Sequence, residues 1–305
     1  MNSKTSPFHD IKPILKIVSF IFIVLLSATL FTGFGLFLAN AIAGIPLSEN
    51  ILTIPRNTNS LIIIQIISAI GTFIVPVFVY TFLFENNSMS FLKLNKVPSL
   101  QAILFTIILF FLANFVLDLL VKFMYLIPFE IMDNSIIQRL LQAEIDSEKT
   151  LKSFLVFNSP LKFIAIFFMM SILPGIGEEL TFRGVFMNLF KEASNSHMLA
   201  IVLSGFVFAV IHVQLHNFLA IFFMGIMLGS IYYLTKNLWV SILAHLFNNG
   251  LIVVMSYLNN LGFLAFDFSK TDDIPLNISI FGAGLFFVAF YFYKEYFIKG
   301  QNTNE

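Results

Sequence analysis

The residues best suited to chemistry lie in one short run, residues 177–184, with the sequence GEELTFRG. The run holds two adjacent carboxylates and an arginine, and the sequence on both sides of it is strongly apolar. Charged side chains at membrane depth are costly and usually mark a functional site. These three charged residues are therefore the first candidates for catalysis.

The spacing of the three charges gives the two acids different surroundings. On a helix, Glu179 and Arg183 are four residues apart and share a face, so they can pair. Glu178 is rotated by about 100° from Glu179, so it can face a cavity and act as a general base. A buried ion pair that only locks helices together is the alternative, but it leaves the second acid unexplained. Pro174-Gly175, just upstream, predicts a broken or kinked helix.

Two histidines lie in later apolar segments. His212 ends the sequence FAVIH that begins at Phe208, and taken alone it is best interpreted as a histidine hydrogen-bonded between helices. His245 is followed one helical turn later by Asn249. A histidine and an amide on one face can donate to the same carbonyl oxygen, which is the chemistry of an oxyanion hole. His216, beside a predicted turn, is interpreted as an interfacial histidine.

Composition places these residues in a membrane. The chain has 305 residues, of which 58% are hydrophobic and 11% charged, against about 25% charged in average soluble proteins. Lys plus Arg and Asp plus Glu balance at 17 each, so no net field attracts nucleic acid, and no nucleic-acid partner is expected. The absence of cysteine excludes disulfides, thiolate zinc sites and a cysteine nucleophile.

Eight apolar runs reach or approach the length of about 20 residues that a helical span needs. They are roughly 17–43, 60–84, 100–127, 161–190, 197–215, 218–235, 238–258 and 277–298. The runs are continuously apolar and do not alternate, which argues against a β-barrel. The predicted fold class is an all-α polytopic membrane protein, with about eight transmembrane helices around an intramembrane polar cavity.

The chain divides into three predicted parts. Residues 1–150 hold about three transmembrane helices plus an amphipathic interfacial segment, which extends over about 128–160 and mixes charged with apolar residues. Residues 151–260 form the core that carries the polar motifs. Residues 261–305 hold the last transmembrane helix and a C-terminal tail.

The distribution of basic residues predicts the orientation. With the N-terminus inside, the inner side receives Lys4, Lys12, Lys16, Lys93, Lys96, Lys191, Lys236, Lys294 and Lys299. The outer side receives Arg56, Arg139, Lys149, Lys152, Lys162 and Lys270. We therefore expect an integral, multi-pass membrane protein with both termini cytoplasmic.

The two histidines do not share a depth if the helices are straight. At 1.5 Å per residue, His245 lies about 10 Å and His212 about 22 Å from the inner surface. Groups that act on one bond must meet, so the sequence predicts either tilted helices or a break near His212. Broken backbone in a membrane lines wet cavities, and we expect such a cavity to open to the cytoplasmic side.

Taken together, the motifs resemble the CPBP family of intramembrane proteases, also called the CAAX-protease and bacteriocin-processing, or Abi, family. It includes the type II CAAX prenyl endopeptidases. The family pattern is Glu-Glu-x-x-x-Arg, then Phe-x-x-x-His, then His-x-x-x-Asn or Asp, and it matches residues 178–183, 208–212 and 245–249. The sequence GIMLG at 225–229 and NLW at 237–239 also resemble the region that links these motifs. The resemblance covers about residues 160–255.

The resemblance implies a role for each motif residue. Glu178 would activate water with help from His212, His245 and Asn249 would stabilise the oxyanion, and Glu179 and Arg183 would orient and balance the site. Glu178, His212 and His245 could also form a three-ligand zinc set with an open fourth position. Zinc and a metal-free mechanism centred on glutamate both remain open, so the cofactor is unknown.

The expected function is intramembrane hydrolysis of a peptide bond, with a peptide or membrane-protein substrate and the lipid bilayer as partners. A non-catalytic immunity or scaffold protein of the same fold is one alternative. A proton-coupled transporter, in which Glu178, Glu179 and the histidines relay protons, is another. The lack of a visible internal repeat disfavours the transporter.

Overall fold

The computed structural model describes residues 6–43, 58–264 and 274–302, and all regular secondary structure in these ranges is helical. Besides a 3-10 turn at Phe129–Ile131, the helices are α1 (Pro13–Ile42), α2 (Thr58–Phe84), α3 (Ser88–Phe91), α4 (Leu100–Met124), α5 (Ser135–Phe154), α6 (Pro160–Ser194), α7 (His197–His212), α8 (Phe218–Thr235), α9 (Leu238–Asn260) and α10 (Leu276–Asn302). The predicted all-α class is confirmed. Lys4, Arg56 and Lys270, used above for orientation, lie outside the described residues.

Seven of these helices are long and apolar enough to cross a membrane, namely α1, α2, α4, α6, α8, α9 and α10. All eight predicted runs are helical, and the eighth, α7, has 16 residues. At 1.5 Å per residue it is about 24 Å long, shorter than a hydrocarbon core of about 30 Å. The chain is therefore a multi-pass integral membrane protein, with α7 as the short member of the bundle.

Helices α8 and α9 lie in the middle of the bundle. On one side their apolar side chains pack with α1, α2, α6 and α7 in a cluster that includes Phe20, Tyr80 and Phe208. On the other side they pack with α4 and α10 around Phe110 and Phe286. The polar motifs thus lie on the first side, where α6, α7 and α9 meet.

Close packing of α7 on α8 depends on glycines in both helices. A Cβ atom built on Gly225 would lie 2.7 Å from the Cα of Gly205, so the two backbones touch directly. A Cβ on Gly229 would lie 3.3 Å from Ile201, a tight contact one turn further on. Small residues four apart permit such an approach between membrane helices.

Helix α6 is continuous through Pro174, so the expected break at Pro174-Gly175 is wrong, and the kink expected as its alternative stays a prediction. The helix instead contains two π-helical turns, Phe168–Ile172 and Leu180–Phe186, on either side of the α-helical Leu173–Glu179. Proline lacks the N–H that closes an α-helical turn, and the wider π turn directly before Pro174 accommodates that loss without interrupting the helix. Single π turns are frequent at functional sites, and the second one carries Arg183.

Helix α5 lies within the segment predicted to be amphipathic. The side chain of Asn134 caps its start by accepting hydrogen bonds from the backbone N–H groups of Ile136 and Ile137. Leu141 and Phe154 are buried, while most of the charged residues are exposed. That this helix lies at the membrane interface stays a prediction.

Both described ends of the chain lie at the same end of the bundle. Near the N-terminus, Lys16 pairs with Glu192 at 3.1 Å, close to the end of α6. Near the C-terminus, the hydroxyl of Tyr296 donates to the side chain of Gln101, at the start of α4, over 2.8 Å. We call this the proximal end, and its assignment to the cytoplasm stays a prediction.

We predict that Gly225→Ala lowers the free energy of unfolding by about 1–3 kcal/mol, the usual cost of overpacking. The added methyl group would meet backbone atoms of Gly205, which cannot rotate away. Thermal and denaturant unfolding of detergent-purified protein would measure the change. Gly284→Ala in α10 is the matched control, because nothing lies within 4 Å of its added Cβ. Equal stability of the Gly225→Ala variant and the parent protein would contradict the proposed packing.

Candidate active site

The carboxylate of Glu179 is the most heavily bonded group in the site. It is completely buried, and its Oε1 accepts from Arg183 Nη1 at 2.6 Å. The same oxygen lies 2.9 Å from His245 Nδ1, while Oε2 accepts from the hydroxyl of Ser241. The pair of Glu179 and Arg183 suggested by their spacing is thus present, and two groups of α9 join it.

Arg183 is also completely buried, and its positive charge is held from three directions. Besides its bond to Glu179, Nη2 donates to the carbonyl oxygen of Gly225 at 3.0 Å. The guanidinium carbon lies 4.8 Å from the centre of the Phe208 ring, a cation–π contact. The close approach of Gly205 to Gly225 places this carbonyl, so the packing of α7 on α8 also positions the arginine.

Ser241 is a site residue that the motifs did not indicate. It is fully buried and donates to Glu179 from α9, one helical turn before His245. A polar residue four positions before His245 lies on the same helix face, and that spacing was the signal available in the sequence. Its hydroxyl satisfies a lone pair of a buried carboxylate that would otherwise be costly to leave unpaired.

His245 lies between the two acids. Its ring is 1% exposed, with Nδ1 against Glu179 and Nε2 3.9 Å from Oε2 of Glu178. An ionised Glu179 only accepts hydrogen bonds, so Nδ1 must carry the proton and donate. In neutral imidazole Nε2 is then an acceptor that faces Glu178. A gap of 3.9 Å is too long for a direct hydrogen bond and is suited to a bridging water.

Glu178 is the acid with access to the surroundings. Its side chain is 12% exposed, whereas that of Glu179 is not exposed at all. The two adjacent residues therefore differ in burial, as their rotation about the helix suggested. A partly exposed carboxylate beside a histidine nitrogen can bind and deprotonate a water molecule.

His212 is the last residue of α7, and the break expected near it is present. Val213 follows with φ 52°, a left-handed conformation that ends the helix. The Nδ1 of His212 donates to the carbonyl oxygen of Phe208 at 2.7 Å, which leaves Nε2 free for other partners. The Phe208 ring contacts both imidazoles, with centroid distances of 4.6 Å to His212 and 6.0 Å to His245. Phe208 therefore connects the second motif to the third.

The fit of a metal ion can be judged from the placement of the side chains. Across residues 6–43, 58–264 and 274–302, no group of three or more His, Cys, Asp or Glu is arranged to hold one. One nitrogen of His245 is already engaged with Glu179, and the other lies 3.9 Å from Glu178. The set of Glu178, His212 and His245 does not assemble as metal ligands in this arrangement, so no step below uses a metal.

The two asparagines of the third motif differ in burial. Asn249 is partly exposed on the His245 face, and its Oδ1 accepts from Nδ2 of Asn248 at 3.3 Å. Asn248 is 7% exposed, its Nδ2 also reaches the sulfur of Met224 at 3.6 Å, and its Oδ1 has no hydrogen-bond partner within the described chain. Asn248 is therefore enclosed in packed protein, where a charge would be costly.

His216 does not join the site and is buried in the protein, while its interfacial depth stays a prediction. Its ring stacks on Tyr125 with centroids 4.2 Å apart, and its Nδ1 lies 3.1 Å from Oε2 of Glu144 in α5. Glu144 also accepts from the backbone N–H of His216 and the side chain of Asn217. Because α5 folds over the ring, the loop after His212 is fixed by a carboxylate from a distant part of the chain.

Comparison with known families identifies the region that carries the site. Residues 160–251 match the family described as type II CAAX prenyl endopeptidase, Rce1-like. The resemblance noted from the motifs is thereby confirmed for this region, which extends from the start of α6 into α9. All seven residues that the pattern specifies lie within it.

Two curated relatives match parts of the chain. One, named "Putative membrane peptidase YdiL", from Bacillus subtilis (strain 168), is 33% identical over 85 residues, which are 28% of this chain and 34% of the relative. The membrane-embedded CAAX protease MroQ of Staphylococcus aureus (strain USA300) is 35% identical over 101 residues, or 32% of this chain and 40% of that protein. The matches thus span less than half of either relative. No solved structure matches the chain significantly.

We predict that the two acids respond differently to removal of their charge. Glu179→Gln leaves the buried Arg183 without its counter-charge and should lower the free energy of unfolding by about 3–5 kcal/mol. Glu178→Gln replaces a partly exposed carboxylate by an amide of the same size, and the unfolding midpoint should change little. Thermal unfolding of both purified variants in one detergent would measure the contrast. Equal stability of the two variants would show that Glu179 is not the structural acid.

Proposed function

We propose that this chain is an intramembrane endopeptidase, in which water activated by Glu178 hydrolyses a peptide bond. The observation that carries the proposal is the arrangement of His245 between the buried Glu179 and the partly exposed Glu178. The site lies within the region that matches a family of prenyl endopeptidases. It also lies within membrane-spanning helices, where the cost of buried charge argues for a function.

The first step is capture and activation of a water molecule. A water about 2.8 Å from each acceptor can donate one hydrogen to Glu178 Oε2 and the other to His245 Nε2, which are 3.9 Å apart. Its lone pairs then face the substrate carbonyl. Glu179 fixes the tautomer and direction of the imidazole, so that Nε2 stays an acceptor. This role for His245 differs from the oxyanion role that the family resemblance implied.

The second step is attack and collapse. As the water oxygen bonds to the carbonyl carbon, its proton passes to Glu178 and the carbonyl oxygen becomes an oxyanion. The amide of Asn249, one turn after His245, is the proposed donor to that oxyanion. His212 keeps the proposed role of assisting Glu178, through the Nε2 that its bond to Phe208 leaves free. The C–N bond then breaks, and Glu178 returns the proton to the leaving nitrogen. The products are a carboxyl group and an amine.

The substrate proposed is a peptide or membrane protein whose scissile bond reaches the level of α6 and α9. The exposed large apolar side chains on the outer surfaces of α1, α4 and α10 fit contact with lipid. Both curated relatives come from bacteria, and we propose that this protein lies in a bacterial inner membrane with both termini in the cytoplasm. Prenylation of the substrate is not required by the residues of the site.

We predict that Glu178→Gln abolishes peptide release in cells, because a lost general base costs about 10²–10⁴ in rate. Quantitative mass spectrometry of the membrane-associated peptides would compare cells with the parent protein and with the variant. Glu148→Gln is the matched control, since Glu148 forms an exposed ion pair with Lys152, and such pairs contribute about 0–1 kcal/mol.

Peptides present with the parent and control proteins but absent with Glu178→Gln would support proteolysis. The variant must be present in the membrane at the level of the parent protein for this comparison. Identical peptide sets in all three strains would contradict an enzymatic role and favour an immunity, scaffold or transport function.

A further inference from the structure

Three lysines converge at the proximal end of the bundle from separate parts of the chain. Lys93 follows α3, Lys191 lies in the last turn of α6, and Lys236 caps the C-terminus of α8. Lys93 and Lys236 both have left-handed backbone conformations, with φ 55° and 51°. We call these three residues the lysine cluster.

Lys93 is the central and least solvated member of the cluster. It is partly buried, and its Nζ lies 4.7 Å from the centre of the Tyr232 ring. Burial, followed by repulsion from Lys236 and Lys191, lowers the pKa of the Lys93 ammonium. The direction of this shift means that the folded protein disfavours the charge at this position.

The lysine cluster lacks acidic partners. Elsewhere, Lys16 pairs with Glu192 and Lys122 with Asp118. Within the described ranges, none of the three cluster lysines has a carboxylate at ion-pair distance. The two exposed ammonium groups repel the partly buried ammonium of Lys93, and an anion between the three would reduce that repulsion.

The depth of the lysine cluster indicates the source of an anion. The cluster lies where α6 and α8 end and α9 begins, at the boundary of the apolar spans. Trp239, the single tryptophan of the chain, is 39% exposed at the same level, and its Nε1 donates to the carbonyl oxygen of Leu94. Tryptophan is enriched at the level of lipid headgroups, and basic pockets between membrane helices bind anionic headgroups.

We propose that Lys93, Lys191 and Lys236 form a binding site for a phosphate group, supplied by the headgroup of an anionic phospholipid. The site is separate from the proposed peptidase chemistry, and its test needs no substrate. A phosphate bound there would nonetheless affect a helix that carries the proposed active site. The carbonyl of Lys93 accepts from the N–H of Leu238, and that of Lys96 accepts from the side chain of Asn237. A bound phosphate would therefore hold the loop after α3 against the start of α9, the helix that carries His245.

The test is the thermal unfolding of detergent-purified protein with added phosphatidylglycerol, phosphatidylcholine or inorganic phosphate. Phosphatidylglycerol should raise the midpoint of the parent protein by about 5 °C near saturation, and phosphatidylcholine should not. The triple variant Lys93→Gln, Lys191→Gln, Lys236→Gln should lose this shift. The matched control removes the same charge from exposed lysines outside the cluster, as Lys12→Gln, Lys96→Gln, Lys294→Gln, and should keep it.

Two further measurements keep the proposal open to refutation if the triple variant folds poorly. The double variant Lys191→Gln, Lys236→Gln alters only exposed side chains and should lose most of the shift. Native mass spectrometry should show one fewer retained phosphatidylglycerol in the variant than in the control. A shift that survives in the cluster variants, or no shift in the parent protein with either phosphate source, would overturn the proposal. An equal shift with inorganic phosphate, lost in the variants, would support the site with soluble phosphate as its ligand.

Discussion

The buried carboxylate of Glu179 is the constraint on which the site depends. An ionised carboxylate in an apolar bundle is stable only if its lone pairs are satisfied and its charge is balanced. Arg183 supplies the charge, while Ser241 and His245 supply further hydrogen bonds from α9. Because these partners come from two helices, satisfying Glu179 fixes α6 against α9. The same contacts aim the second nitrogen of His245 at Glu178, so a structural requirement also sets the geometry for chemistry.

The backbone around this pair is shaped by a few local features. The π turn at Leu180–Phe186 carries Arg183, and the contact of Gly205 with Gly225 brings a backbone carbonyl within reach of its guanidinium. The early end of α7 leaves His212 at a helix terminus, next to a loop that Glu144 holds in place. Together these features position the side chains that contact the Phe208 ring, which are Arg183, His212 and His245.

Much of the fold and of the site could be predicted from residue spacing. Apolar run length predicts the spans, and a spacing of four residues predicts the pairing of Glu179 with Arg183. Three features escaped prediction because they depend on contacts between distant segments or on backbone detail. Ser241 differs from the other serines only in its contact with Glu179, which forms when α9 packs on α6. The π turns are present where a break at Pro174 was expected. The burial of Asn248 results from packing that no local sequence pattern encodes. The family match covers residues 160–251, so the arrangement of the first 159 residues rests on the structure alone.

The protonation of His245 tests the account most directly. Nitrogen-15 NMR of protein labelled at its five histidines, with signals assigned through single His→Gln variants, distinguishes the two imidazole tautomers near neutral pH. The account predicts a neutral His245 that carries its proton on Nδ1 and leaves Nε2 unprotonated, because Nδ1 donates to an ionised Glu179. A proton on Nε2 with a bare Nδ1 would contradict it, since Glu179 would then be the protonated partner and His245 could not accept a hydrogen bond from the attacking water.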